Sequence, residues 1–303
     1  MNNDNGPRNY EVVEADEVRP PEKNRFWHLV KVLVIAGLLL IAAGYITGAI
    51  GWFDGGAVDS FVSHDGMFTE ININLVSASV RLYTSNRFGY DIRGDERDII
   101  HSIENGRLII GNRALSARTI NIGRRNQTEV IVYYPAGTHF DGVNIVTVSG
   151  GIQLEGIQSG RFSASSTSGR ITADNIMSEN ITIFSTSGAI TANDLDAQNI
   201  NISSISGRIT ADGLNSPTRS LSTTSGRIDL NGELTGNTTV SSVSGRLDVN
   251  VAGREADYDL SISTVSGRAH VNGYRRTGRF NNNASNSINL STVSGGVQVE
   301  FDR

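Results

Sequence analysis

A short phrase recurs along the second half of the chain: a strand that ends in Ser-Gly and is usually followed by Arg and an aliphatic residue. Successive copies lie 19 residues apart at Ser149, Ser168, Ser187, Ser206, Ser225 and Ser244, and two more follow at Ser266 and Ser294 after gaps of 22 and 28 residues. Self-similarity at a fixed period of this length is typical of solenoids, in which each repeat packs against its neighbours. The sequence therefore predicts a stack of coils with about 19 residues in each.

The residues around each Ser-Gly pair alternate between apolar and polar, which indicates half-buried strands. In every copy the positions four before, three after and five after the Ser are apolar, as in Ile183, Ile190 and Ala192 around Ser187. One repeat cannot bury its own apolar face, but stacked repeats place equivalent strands about 4.8 Å apart and bury it together. The two strands alternate in opposite parity, so we expect the Gly to form a bend or bulge.

Two further columns are expected to form corners of the coil. The residue two before each Ser is always Ser or Thr, and such a hydroxyl column can form hydrogen bonds along the stack, inside it or at its corner. A second turn is predicted where residues that favour turns recur. These residues are Gly156, Asn175, Asp194, Gly213 and Gly232.

These patterns predict an all-β fold, a single-stranded β-helix or β-solenoid, with right-handed coils because crossovers between parallel strands are right-handed. Residues 147–303 form the regular Ser-Gly part, with insertions at about 252–258 and 273–286. Residues 68–146 alternate without the 19-residue period, and we interpret them as irregular capping coils. We expect the final strand, Gly296 to Phe301, to end the stack, with the charges that follow it discouraging end-to-end pairing.

The N-terminal part of the sequence predicts a membrane anchor. Residues 1–26 are polar and are interpreted as a disordered cytoplasmic tail, residues 27–53 as a transmembrane helix, and residues 54–67 as a linker. Lys and Arg precede the apolar run, so the positive-inside rule places the solenoid outside the cell membrane on a single span. A cleaved signal peptide is the alternative, but the apolar run is longer than the usual core of one.

Composition excludes several classes of function. A net charge of −5 gives no reason to expect a nucleic-acid partner, and the lack of cysteine excludes a disulfide framework. The five His residues have no metal-ligand spacing, and no phosphate-binding loop or nucleophile motif is found. We therefore expect no catalytic residue, no metal and no cofactor.

Several segments together resemble a known family. These are the apolar N-terminal run, the segment Glu104-Asn-Gly-Arg-Leu-Ile-Ile110, the strand that ends in Tyr133-Tyr-Pro135, and the serial Ser-Gly-x-Ile strands. The chain resembles the bacterial putative-adhesin family of β-strand-repeat domains, over roughly residues 68–303. The resemblance implies a single-stranded β-helix on the cell envelope, in a family of unknown function often found beside envelope-stress signalling genes. It supplies no catalytic residues.

The residue two after the Ser is the strongest candidate for binding. It is Arg in five copies, at Arg170, Arg208, Arg227, Arg246 and Arg268. A row of guanidinium groups at coil spacing suits anionic envelope polymers such as teichoic acids or acidic glycans. The alternative is a solvated face on which Asp174, Asp212, Asp229 and Asp248 balance the charges. Asp229 and Asp248 in adjacent coils also have the spacing of a glycosidase pair or the start of a calcium site.

A basic insertion is the second candidate. It carries Arg275, Arg276 and Arg279 between Tyr274 and Phe280, and either contacts a partner or is a mobile loop. The function that the sequence predicts best is that of a non-enzymatic surface protein, which binds an envelope polymer or another envelope protein. The alternatives are an accessory or sensor component of an envelope-stress signalling system and, less favoured, a polysaccharide-acting β-helix enzyme.

Overall fold

The structure, a computed structural model, describes residues 60–94, 99–113 and 128–302, with side-chain detail from His64 onward. The predicted tail and transmembrane helix lie outside these residues. Within the described ranges, no helix has the length and apolar character needed to cross a membrane. The predicted linker at 54–67 is partly a strand, since β1 already begins at Ser60 and pairs with a later strand.

The described residues contain β-strands and one short 3-10 turn at Glu255–Asp257, but no α-helix. The strands in chain order are β1 Ser60–Asp65, β2 Glu70–Leu75, β3 Ser79–Ser85, β4 Gly89–Gly94, β5 Ile99–Glu104, β6 Arg107–Asn112, β7 Glu129–Pro135, β8 His139–Phe140, β9 Gly142–Thr147, β10 Ile152–Glu155, β11 Gln158–Ser166, β12 Ile171–Ser185, β13 Ile190–Ser204, β14 Ile209–Asn215, β15 Thr218–Thr223, β16 Ile228–Gly232, β17 Asn237–Ser242, β18 Leu247–Val251, β19 Tyr258–Thr264, β20 Ala269–Val271, β21 Tyr274–Arg275, β22 Gly278–Phe280, β23 Asn286–Thr292 and β24 Val297–Phe301. The all-β prediction is confirmed.

Each regular coil has three sides. In β12 the inward-facing residues fall into three groups, at 171–173, 176–178 and 181–185, separated by exposed residues at the bends. We call the strands that lead into the Ser-Gly turn sheet A, the strands that follow it sheet B, and the short third side sheet C. The sequence analysis recognised the sheet A and sheet B strands but not the separate third side.

Equivalent residues of successive coils lie above one another, as predicted. Ile171, Ile190, Ile209 and Ile228 pair in register along sheet B, and all four are buried. The same holds for Ala164, Ile183, Ile202 and Leu221 on sheet A. These columns belong to one continuous apolar core, in which each coil covers the apolar surface of the next.

The Ser-Gly corner depends on a close approach of backbones. A Cβ at Gly188 would lie 1.9 Å from the carbonyl oxygen of Gly169 in the coil below, a distance that no side chain can tolerate. The hydroxyl column closes the same corner, because the Gly207 N–H donates to Ser204 Oγ at 2.8 Å and the Gly226 N–H donates to Thr223 Oγ1 at 2.9 Å. The chain bends here as predicted, and glycine is also required because the backbones of successive coils approach closely.

The second turn is confirmed at its predicted positions. Gly156, Asn175, Asp194, Gly213 and Gly232 have φ values of 70°, 51°, 50°, 62° and 122°. This left-handed backbone favours Gly, Asn and Asp, which explains the residue types at this corner.

The order of the coils differs from the order of the sequence at the end that contains the last strands. β23 pairs in parallel with β17 on one side and with β19 on the other, although β19 precedes it in the chain. β24 likewise lies between β18 and β20. After β18 the first insertion leads the chain to β19 and β20, which lie two layers away from β17 and β18. After β20 the longer insertion leads it back, so that β23 and β24 form the layer between them. The prediction that Gly296 to Phe301 ends the stack is therefore wrong.

A similar exchange occurs at the opposite end. β2 and β3 pair with β9 and β10 of the first Ser-Gly coil, with Ser77-Ala78 in place of Ser-Gly at the corner. β6 and β7 follow β2 and β3 in the chain but form the layer beyond them. The segment 68–146 thus contains one coil of regular register and one outer layer.

Antiparallel strands cover both ends of the parallel stack. β5 pairs with β6 and β4 with β7 at one end, while β22 pairs with β19 and β21 with β20 at the other. These strands satisfy backbone groups that a bare parallel edge would leave open. The insertion that contains β21 and β22 is therefore part of the cap.

Candidate binding surfaces

The five predicted arginines lie on one face, as expected. Each stands at the start of a sheet B strand and points to solvent. The face also carries the residues four after each Ser, which change from Thr in the coils at Thr172, Thr191 and Thr210 to Asp in the coils at Asp229 and Asp248.

Three of these arginines form a continuous arginine–aspartate ladder with Asp229 and Asp248. Arg227 Nε lies 2.6 Å from Asp229, and its terminal nitrogen lies 2.9 Å from Asp248. Arg246 Nε lies 2.7 Å from Asp248, and Arg208 Nε lies 3.9 Å from Asp229. The hydrogen bond to Asp229 raises the pKa of Arg227. The ladder neutralises the centre of the predicted row and uses both acids as ion-pair partners.

The outer two arginines are differently placed. Arg170 and Arg268 form no ion pair with any described residue, and Ala189 separates Arg170 from the next arginine in the column. The structure thus brings the five arginines to one face. Of the five, only Arg170 and Arg268, at the two ends of the row, have no ion pair with a described acidic residue.

The three arginines of the insertion lie in the cap and not in a free loop. Arg276 donates to Glu255 at 2.5 Å and stacks 4.2 Å from the centre of the Phe280 ring. Arg275 lies in β21 opposite His270, and Arg279 lies in β22 opposite Ser261. Arg276 is therefore a structural contact between the two insertions.

Sheet A presents a different surface, which the sequence analysis did not consider. Its outward residues from the coil of Ser187 onward are almost entirely hydroxyl and amide side chains without charge. They are Thr182, Asn201, Ser220, Thr239, Asn289 and Ser261 in one column and Phe184, Ser203, Ser222, Ser241, Ser291 and Ser263 in the next. Because equivalent strands repeat at about 4.8 Å, this face is a regular array of hydrogen-bonding groups.

A shallow depression of about 330 Å³ interrupts sheet A near its N-terminal end. Its floor is Gly142, and Glu70, Asn144, Arg161 and Asn180 are among the residues around it. The column seven before the Ser runs Glu70, Gly142, Arg161, Asn180, so the depression exists because one member of the column has no side chain. The sequence signal for this depression is a glycine among the long side chains of the column seven before the Ser.

A second depression, of about 270 Å³, lies on sheet C. Glu179, Asp196 and His139 contribute to its rim, and Met177 is exposed in it. None of the described residues that line it is a Lys or an Arg. Among the described residues, no cluster of three or more His, Cys, Asp or Glu side chains has the geometry to hold a metal ion.

One charged residue is buried where the apolar column predicts an aliphatic one. Arg219 takes the place held by Ile200 in the preceding coil and is 1% exposed. Its guanidinium donates to Thr238 Oγ1 at 3.1 Å and to the carbonyl oxygens of Thr235 at 2.8 Å and Ser216. Burial lowers the pKa of Arg219. This side chain ties two coil corners together from inside and faces no depression described above.

Comparison with known proteins gives a family and a fold. A family model described as Toastrack DUF4097 matches residues 68–300. A structure described as a putative lipid binding protein from Parabacteroides distasonis is 14% identical, covers 80% of this chain and 96% of that one, and has a TM-score of 0.52. A putative adhesin from the same organism is 12% identical, covers 80% and 97%, and has a TM-score of 0.50. Such low identities show the fold alone, and no curated protein matches the chain.

Proposed function

The chain belongs to the Toastrack DUF4097 family. We propose that it is a membrane-anchored, extracytoplasmic β-solenoid that binds a cell-envelope polymer as an adhesin-type, non-enzymatic module. The observation that carries the proposal is the repetition of one outward chemistry along sheet A, coil after coil. A polymer also repeats one chemistry along its length, so each coil can meet an equivalent unit of the ligand. Related structures described as putative adhesins are consistent with this proposal.

The non-enzymatic part rests on how the acids are used. Asp229 and Asp248 are the acids with the spacing of a catalytic pair, and Arg227 bridges them. A glycosidase needs two carboxyl groups that face a substrate cleft, whereas these two carboxylates are taken up by ion pairs with Arg227 and Arg246. The proposal therefore gives these two residues a structural role.

The anchoring part rests on the sequence. Residues 27–53 have the length and apolar character of a single span, with basic residues on the side that the positive-inside rule assigns to the cytoplasm. In the proposed arrangement β1 is the first strand beyond the membrane. Resistance of the full-length chain to carbonate extraction, together with cleavage of the solenoid by protease added outside the cell, tests this point.

Binding is tested with the full-length protein in mild detergent, titrated onto intact envelope preparations. The proposal predicts saturable binding without release of reducing or unsaturated ends from the envelope polysaccharide. Binding no greater than that of an unrelated membrane protein in the same detergent would overturn the binding role. Release of such ends would overturn the non-enzymatic role.

A role as accessory or sensor component of an envelope-stress system is the second candidate. One observation favours it: β1, the first strand after the proposed anchor, carries His64 against His101 and Tyr90 in the cap. In this role, the contact couples the strand that follows the proposed anchor to the cap of the solenoid.

A further inference from the structure

Gly142 is a glycine that the fold does not need. Its φ lies outside the left-handed region, and a Cβ built on it would meet its nearest neighbours, Arg161 O and Glu70 Cγ, at 3.9 and 4.0 Å. These are ordinary contact distances. By contrast, a Cβ at Gly150, in the Ser-Gly corner of the same coil, would lie 1.7 Å from the Ala78 carbonyl oxygen.

A glycine inside a strand weakens the strand, because it adds backbone entropy to the unfolded chain and offers no side chain for packing. A residue with a side chain would fit at position 142 and would fill the depression. The glycine leaves an open space in its column, between the side chains of Glu70 and Arg161. Glycine in a strand often marks the close approach of a ligand.

The charges around the depression are unequal. Glu70 is engaged by Arg107 at 2.7 Å on the side away from Gly142. Arg161 is exposed and forms no ion pair with any described residue. The depression therefore has one free cation at its rim, and the carboxylate opposite already has a partner.

The remaining polar groups add hydrogen-bond donors. Asn180 uses its Oδ1 to accept from Asn199 at 3.0 Å, so its amide N–H groups stay available. The hydroxyls of Ser163 and Thr182 line the same space. Together with the Arg161 guanidinium, they suit a ligand that carries many oxygen acceptors and one negative charge.

We propose that the Gly142 depression is a subsite for one acidic sugar of a polysaccharide, whose carboxylate pairs with Arg161 while its hydroxyls contact Ser163, Thr182 and Asn180. The inference rests on the proposed function, and it adds the place and the ligand class. The volume of about 330 Å³ is at the lower end for ligand sites, as expected for a single ring. The uncharged hydroxyl and amide columns of sheet A continue from Thr182, so further sugars of the same chain have hydrogen-bonding partners along the stack.

The planar guanidinium of Arg161 pairs in a bidentate arrangement with a carboxylate or a phosphate, so its charge admits a uronic acid or a polyol phosphate. Of the two, only the uronic acid has a compact ring that fills the depression and presents its hydroxyls to Ser163, Thr182 and Asn180. The proposal therefore commits to a carboxylated polysaccharide and places the ligand on sheet A, away from the predicted arginine row of sheet B.

The test is a titration of the full-length protein in mild detergent with oligogalacturonate, with neutral dextran oligomers and poly(glycerol phosphate) as comparison probes. We expect saturable binding of oligogalacturonate only. Gly142→Val, which fills the depression, and Arg161→Gln, which removes the cation, should each weaken binding about tenfold or more. The matched controls on sheet B are Gly151→Val, whose Cβ would lie 3.7 Å from Arg170 O, and Arg170→Gln, which removes another arginine without an acid partner. Both should leave the affinity unchanged.

The outcomes separate the site from the function. Saturable envelope binding that survives Gly142→Val and Arg161→Gln would overturn the site and leave the binding role standing. Absence of oligogalacturonate binding, or tighter binding of poly(glycerol phosphate), would overturn the ligand class. Equal losses in the sheet A and sheet B variants would also overturn the site. If Gly142→Val shows an altered circular dichroism spectrum, the smaller Gly142→Ser is used in its place.

Discussion

Gly267 packs directly on Gly295, which follows it by 28 residues in the chain, and a Cβ on Gly267 would lie 1.8 Å from the Gly295 carbonyl oxygen. Gly295 in turn packs on Gly245. The three Ser-Gly corners are therefore stacked in the order 245, 295, 267. The coil that comes last in the sequence lies inside the stack.

Engineered cysteine pairs report this order directly, because the natural chain has no cysteine. Ser291 pairs in register with Ser241 on one side and Ser263 on the other. Disulfides need Cα atoms about 4.4–6.8 Å apart, which adjacent coils satisfy and coils two layers apart do not. We expect oxidation to link Ser291→Cys with Ser263→Cys and with Ser241→Cys. A link between Ser241→Cys and Ser263→Cys at similar yield would contradict the order.

Removal of one whole coil should leave a folded protein. Deleting residues 188–206 joins Ser187 to Gly207 and keeps every column in register. Deleting residues 188–197 puts inward residues outside and breaks the columns. We expect a cooperative thermal melt for the first deletion and none for the second. Equal melts would argue against coil-by-coil stacking.

A methyl group in the Ser-Gly corner should be costly. Gly188→Ala places a Cβ 1.9 Å from the Gly169 carbonyl oxygen, so the coils must separate locally. We expect a loss of about 2 kcal/mol or more in the free energy of unfolding, measured by denaturant titration. Gly151→Ala is the matched control, with its nearest contact at 3.7 Å, and should change that free energy by less than about 0.5 kcal/mol. Similar effects of the two substitutions would show that close packing is not the reason for glycine.

The arginine–aspartate ladder should contribute little to stability. Asp248 is only 12% exposed, but the arginine side chains of the ladder are 42–61% exposed, so water and salt screen the cationic side of each ion pair. Asp248→Asn should lower the free energy of unfolding by about 1 kcal/mol or less. Asp174→Asn, which alters a hydrogen bond to the uncharged Asn193, serves as control. A loss for Asp248→Asn several times larger would mean that the ladder acts as a buried network.

The ring contacts of the first cap strand should hold that strand in place. The ring centres of His64 and His101 are 4.5 Å apart, and Tyr90 stacks on His64. We expect faster amide exchange in residues 60–65 of His64→Ala than in the natural chain, because these ring contacts are lost. His139→Ala changes an exposed histidine elsewhere and is the control. Exchange in His64→Ala as slow as in the natural chain would refute the role of the rings.

The 19-residue period predicted the columns and the corners, because each coil of a stacked fold makes the same contacts with its neighbours. The hydroxyl at Ser204 and the turn at Asn175 lie where the phrase places them, since each depends only on the coils next to it. The order of the last coils was not predictable in this way. The gaps of 22 and 28 residues reveal two insertions but not which layer the returning chain enters, because that choice depends on contacts between distant segments.

For the candidate binding surfaces too, the sequence predicted the repeated positions but not the contacts between coils. The arginine row was predicted from spacing, but its neutralisation requires Arg227 to reach an acid in the next coil. The coil at Ser77 was missed because Ala78 replaces the Gly and a long excursion separates it from Ser149. Gly142 could not be recognised from the Ser-Gly phrase, because its column lies seven residues before the Ser and holds no constant residue type. Arg219 departs from an apolar column, and only the structure shows the carbonyl groups that accept its hydrogen bonds.

The interior position of β23 and β24 also governs how the molecule resists mechanical load. A pull on the residues after Phe301 does not peel an outer strand away one bond at a time. It loads the ladders to β17 and β18 and the ladders to β19 and β20 together, in shear. The last strands can therefore leave the stack only after the hydrogen bonds to the coils on both sides have broken.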